Sequence, residues 1–109
     1  MLTLYGLTTC DTCRLARKQI ENSGRTVVFQ DVRKNPLSQD QLARFVAEFS
    51  GALVNRRSTT WRNLSEAERI GTPETLIARH PTLMKRPVIE DGGALTLGWD
   101  KTAKDRHLG

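Results

Sequence analysis

The sequence predicts an α/β fold in which a mixed four-stranded sheet is laid down as β-α-β, then a helical insertion, then β-β-α. Three observations predict it. Short β-branched and apolar runs lie near both ends of the chain, a helix-periodic stretch separates the first two, and an Asp-Gly-Gly turn separates the last two. The 109 residues suit a single domain over 1–109, with the insertion at about 38–80. A composition of 38% hydrophobic and 27% charged residues supports one modest core. No apolar run reaches the roughly 18 to 20 residues that cross a bilayer, and MLTLYGLTTC lacks the basic start of a secretory signal. The expectation is a cytosolic protein without a membrane role.

Leu2, Thr3, Leu4 and Tyr5 read as a buried strand closed by Gly6, and Thr8-Thr9 as a short loop. From Asp11, the residues Arg14, Arg17 and Lys18 alternate with Leu15, Ala16 and Ile20 at helical spacing until Asn22-Ser23-Gly24. Val27, Val28 and Phe29 form the second strand, which completes a β-α-β unit. Ser38 is an N-cap for a helix carrying Leu42, Phe45, Val46 and Phe49, and Ser50-Gly51 ends it. Ala52 to Asn55 reads as a short helix or turn, followed by a loop carrying Trp61. Ser65 caps a short helix over Glu66 to Ile70, and Thr72-Pro73-Glu74 starts another with Leu76, Ile77 and Leu83 on its apolar side. Pro87-Val88-Ile89-Glu90 and Ala94-Leu95-Thr96-Leu97 flank Asp91-Gly92-Gly93 as a hairpin. Asp100 to His107 forms a last helix.

The only two cysteines, Cys10 and Cys13, stand together as Cys-Asp-Thr-Cys. A disulfide framework wants about four or more cysteines. Structural zinc wants about four ligands, and the two histidines, His80 and His107, are far from the pair and from each other, so no metal is expected. What remains is a redox site or two incidental thiols. The pair falls where a strand hands over to a helix, which is the context a redox CxxC requires. First-turn N–H groups and nearby Arg14 and Arg17 would lower the Cys10 pKa from about 8.5 toward roughly 3.5 to 7.5, while Asp11 opposes them. Cys13 sits one turn inside, shielded but within disulfide reach. Cys10 is therefore expected to attack a disulfide, peroxide or oxyanion, and Cys13 to resolve the intermediate. Thr9, Thr12 and Arg14 are neighbouring candidates for anion binding.

Arg86-Pro87 opens the third strand. A trans bond would make Pro87 an edge device; in thioredoxin-like folds a cis proline stands at this place and faces the reactive sulfur, which would hold Arg86 beside Cys10 to bind an anion or carboxylate. The cis reading is favoured. Arg56, Arg57 and Arg62 with Trp61 form the densest basic segment, either a solvated loop with Trp61 anchored in the core or, through Arg56 or Arg57, the far wall of an anion pocket. The net charge of +5 carries no recognition-helix signature and is read as arginines, Arg14, Arg17, Arg86 and Arg57, gathered around one thiolate. His80 reads as a capping or packing residue and His107 as plain surface.

Tyr5, Cys10-Asp-Thr-Cys13-Arg14, Arg57, Thr60-Trp61-Arg62 and His80-Pro81-x-Leu83-x-x-Arg86-Pro87-Val88 together resemble the arsenate reductase (ArsC) and Spx family over nearly the whole chain. The resemblance implies a thioredoxin-like fold, a nucleophile at Cys10 and an anion-binding Arg86 beside cis Pro87. Glutaredoxin-linked arsenate reductases of that family place Ser at position 13 and a His-Asn-Pro stretch where this chain has Gly6-Leu7-Thr8. One of their pocket arginines falls on Asn55, with Arg56 and Arg57 nearest, and another falls near Gly98. The CxTC pair is more similar to small arsenate reductase-like thiol reductases. That branch implies a monomeric thiol-disulfide oxidoreductase with no bound cofactor and glutathione as co-substrate, recycled by glutathione, glutaredoxin or thioredoxin. The alternatives are a glutaredoxin-coupled arsenate reductase and an Spx-like redox regulator binding RNA polymerase.

Overall fold

The computed structural model describes residues 1–109, which divide into two compact units, 1–32 with 86–109 and 33–85. In the first unit, β1 (Leu2–Gly6) runs parallel to β2 (Val27–Asp31) and antiparallel to β3 (Val88–Asp91), which pairs antiparallel with β4 (Ala94–Leu97). The sheet is therefore mixed, in the order β2-β1-β3-β4, as expected for the thioredoxin-like class. Register places Leu2, Leu4, Val27, Phe29 and Ile89 on one face, because Leu2 lies opposite Val27 and Leu4 opposite Phe29 and Ile89.

Helix α1 (Asp11–Asn22) covers that face with Cys13, Ala16 and Ile20, which recur at i, i+3 and i+7 and are fully buried. Leu2, Leu4, Cys13, Ala16, Ile20, Val27 and Ile89 form one cluster, with Cys10, Phe29 and Trp99 packed at its rim. Burying a side chain such as Ile20 or Ile89 stabilises the fold by roughly 1.5 to 3 kcal/mol, so Cys13 sits inside the apolar cluster that holds the unit. Leu15, expected on the helix's apolar side, is 48% exposed because it lies off the stripe that Cys13 sets. The helix stops at Ser23, followed by Gly24 at φ +96°, a backbone that favours glycine. The hairpin turns through Gly92 at φ +63°.

Helix α6 (Lys101–Leu108) starts at Asp100, whose carboxylate accepts from Ala103 N–H. His107, expected on the surface, is 2% exposed; its Nε2 shares a 2.8 Å hydrogen bond with Thr96 Oγ1, and its Nδ1 lies 3.8 Å from Asp91. A terminal position in the sequence said nothing about the face of α6 that packs on β4.

The second unit is built from short capped helices. Helix α2 (Gln39–Phe49) has a full capping box between Ser38 and Gln41 and buries Leu42 and Phe45. The short helix or turn expected over Ala52 to Asn55 is a 3₁₀ turn that starts two residues earlier, over Ser50–Leu53. Val54 then bridges Met84, flanked by Asn55 N–H on Leu83 O at 2.8 Å and Lys85 N–H on Leu53 O at 2.7 Å. The segment expected as a loop carries helix α3 (Thr59–Arg62), one turn capped by Ser58. Trp61 is not in the core: it is half-buried, with the Arg56 and Arg69 guanidinium groups each 5.4 Å from its ring centre. Helices α4 (Glu66–Arg69) and α5 (Pro73–Arg79) start at Ser65 and Thr72, and Ile70 ends α4 with 86% of its surface exposed. No helix of the chain is long and apolar enough to cross a membrane.

Candidate thiol site

The chain leaves β1 at Gly6, and the short loop before α1 is pinned at two points. Thr8 donates through its N–H and its hydroxyl to the Asp31 carboxylate, both at 3.0 Å, and Cys10 N–H donates to Leu7 O at 3.1 Å. Asp31 lies opposite Gly6 in the β1–β2 register, so the parallel pairing itself brings this carboxylate to the loop. Cys10 becomes the N-cap of α1 in extended backbone without a conventional side-chain cap bond. Its carbonyl accepts from Arg14 N–H at 3.0 Å, which closes the first helical turn.

Cys10 is half-buried and Cys13 fully buried, and both are free thiols. Burial by itself raises the Cys10 pKa. Hydrogen bonds from the Cys13 backbone N–H and thiol, and then the hydrogen bond and charge of Arg86, outweigh it and hold Cys10 below the ordinary thiol value. Burial also dominates at Cys13, where the Leu7 backbone N–H opposes it and the bond to Cys10 and the Cys10 charge reinforce it; Cys13 is pushed up to about 12. Two thiols in one turn are thus split in opposite directions. Cys10 ionises first, and Cys13 stays protonated as its donor.

Arg86 precedes a cis peptide bond to Pro87, and Pro87 is fully buried at the head of β3, where its carbonyl accepts from Gly98 N–H at 2.8 Å. The cis expectation holds. Arg14 does not reach the thiolate: it pairs with Asp11, and both are exposed, so the charge thought to help Cys10 and the one thought to oppose it cancel each other. Arg17 pairs with Glu21 at 3.5 Å and lies over the Phe29 ring. Thr9 and Thr12 are at the surface. Arg56 and Arg57 belong to the second unit, where with Ala52, Val54, Asn55 and Lys85 they line a groove of about 580 Å³. Arg56 donates to Gly51 O, and His80 Nε2 lies 3.3 Å from the Glu68 carboxylate.

The first unit carries eight Lys and Arg against seven Asp and Glu, and the second nine against five, so most of the surplus belongs to the second unit. Sequence reasoning also passed over Gly6, Leu7 and Asp31. Gly6 reads as an ordinary strand end, and only the register shows that Asp31 meets the loop.

The ArsC family model matches residues 5–105. The global transcriptional regulator Spx of Bacillus subtilis is 30% identical over 114 residues, covering 99% of this chain and 87% of that protein. Among solved structures, a protein named YFFB superposes with a TM-score of 0.89 at 30% identity over 100% of both chains. An arsenate reductase (ArsC) related protein from Brucella melitensis does so at 0.74 and 32% identity over 97% of this chain and 92% of that one. A match over this length, together with the thiol pair at the head of α1, identifies the chain as a member of the ArsC family.

Proposed function

We propose that the protein is a thiol-disulfide oxidoreductase that takes glutathione as co-substrate, with Cys10 as nucleophile and Cys13 as resolving thiol. The observation that carries this reading is the opposite displacement of the two pKa values within a single helical turn. The Cys10 thiolate attacks a disulfide sulfur, forms a mixed disulfide and expels the other sulfur as a thiolate. Cys13 then loses its proton and attacks Cys10 Sγ, which expels the second thiolate and leaves a Cys10–Cys13 disulfide. Two glutathione molecules restore both thiols and leave as oxidised glutathione. Arg86 holds the anionic end of the substrate and supports the thiolate, with Pro87 fixing the wall of the site and Thr9 and Thr12 as further contacts.

The test is turnover of the mixed disulfide of glutathione with 2-mercaptoethanol, followed as NADPH loss through glutathione reductase. Cys10→Ser should abolish it, and Cys13→Ser should slow it or trap the adduct. Unchanged turnover in Cys10→Ser overturns the assignment. Arsenate-dependent NADPH oxidation in the same assay with glutaredoxin added would identify arsenate as the substrate instead.

A second reading is supported by the likeness to Spx over 99% of the chain. On that reading the thiol pair reports its redox state to RNA polymerase. Retention of the oxidised but not the reduced protein on RNA polymerase, without glutathione turnover, would favour it.

A further inference from the structure

A Cβ built on Gly6 would lie closer than 3.0 Å to Cys13 Sγ, a separation that real Cβ atoms essentially never show. It would also stand 3.2 Å from Cys13 Cβ and 3.4 Å from Leu4 Cδ2, so the crowding is aimed at the sulfur. The backbone at Gly6 does not need a glycine, since the positive-φ glycines of the chain are Gly24, Gly92 and Gly98. Gly6 ends β1 paired with Asp31, and its carbonyl accepts from Val32 N–H at 2.9 Å, so it cannot back away without breaking that hydrogen bond. Cys13 is itself fully buried on α1, whose Ala16 and Ile20 are equally enclosed, so the helix cannot rise. The one soft coordinate left is rotation of Cys13 about its Cα–Cβ bond, and that rotation carries Sγ to another staggered position.

We propose that Gly6 is a positioning residue for the resolving thiol: its missing side chain is the space that keeps Cys13 Sγ aimed at Cys10 Sγ. The inference rests on the assignment of Cys13 as resolving thiol. A methyl group at position 6 displaces the sulfur, removes its hydrogen bond to Cys10 and slows only the second of the two exchange steps.

The experiment uses 5,5′-dithiobis(2-nitrobenzoate). Attack by Cys10 breaks the aromatic disulfide, forms a mixed disulfide and releases one nitrothiobenzoate; attack by Cys13 releases the second and closes the protein disulfide. At a pH where Cys10 is fully ionised, Gly6→Ala should keep the first release within about threefold of the parent and slow the second at least tenfold. A second release at the parent rate overturns the proposal. In a Cys13→Ala background, which lacks the second release, adding Gly6→Ala should leave the Cys10 pKa where Cys13→Ala alone puts it; a further shift also overturns it. If Gly6→Ala does not fold, Gly6→Ala/Cys13→Ala decides. Recovery of a folded protein supports the sulfur as the obstacle, and failure to fold while Cys13→Ala folds contradicts it. Cys10 attack that fails in the parent as well would instead overturn the nucleophile assignment itself.

Discussion

The two units of the chain are stabilised in different ways. The first unit wraps a contiguous apolar cluster around a buried sulfur and is nearly balanced in charge, with eight cations and seven anions. The second unit is a run of short helices, each begun by a Ser or Thr whose hydroxyl accepts an N–H of the first turn. Helices of one or two turns are unstable alone and depend on their caps and on side-chain anchors. Close packing is therefore concentrated around the two sulfurs, whereas the cationic surplus resides on arginines that bond to backbone carbonyls and to the Trp61 ring.

Five substitutions would sharpen or break that contrast, beginning with the largest effect. Leu4→Ala removes a fully buried side chain of the cluster and should cost about 2 to 5 kcal/mol in urea unfolding. Because Leu4 also flanks the Gly6–Cys13 contact, the resolving step should slow in the molecules that remain folded. A loss below about 1 kcal/mol would show that the cluster is not what holds this unit.

Arg86→Ala removes a hydrogen bond and a positive charge from Cys10, so its thiol pKa should rise and its alkylation by iodoacetamide at neutral pH should slow. Arg17→Ala leaves Cys10 as it is, because Arg17 spends its charge on Glu21 and its plane on Phe29. Equal effects of the two would return the site to the general basic cluster expected from sequence.

His107 supplies a pH test. Burial lowers its pKa below the ordinary value; Asp91 opposes that, and Arg25 and Arg106 reinforce it. The folded chain therefore holds His107 neutral, while the unfolded chain takes up a proton near about pH 6.5. Stability from this group is complete above that value and lost as pH falls from there toward the folded pKa. Thermal melts between pH 7.5 and 5 should show the decline, and His107→Gln should flatten it. Ser65→Ala gives the smallest change, about 1 kcal/mol from the loss of an exposed cap, with the reactivity of Cys10 untouched.

Most of the fold was legible in the residues, and the reasons are local. The first strand, the CxxC helix with its Gly24 stop, the Ser38, Ser65 and Thr72 caps and the glycine hairpin each carry their own signal within a few positions. The departures come from side-chain contacts that no local pattern announces. Trp61 lies between guanidinium groups from Arg56 and Arg69, and His107 is buried against Thr96 by the packing of α6 on β4. At the site, Cys10, Cys13, Arg86 and Pro87 follow from motif and strand order. The neutralisation of Arg14 by Asp11 follows the i, i+3 spacing of a helix, whereas the hold of Asp31 on Thr8 and the space at Gly6 depend on register and packing that no spacing encodes.

The central claim is that the two thiols are split, with Cys10 ionised early and Cys13 held protonated. The rate of iodoacetamide labelling of each cysteine, read by peptide mass spectrometry across pH 4 to 10, tests it most directly. The account predicts that Cys10 labels first, with an apparent pKa below the ordinary thiol value, and that Cys13 stays unlabelled to the top of the range. Two cysteines labelling together at or above the ordinary value, or Cys13 labelling before Cys10, would contradict it.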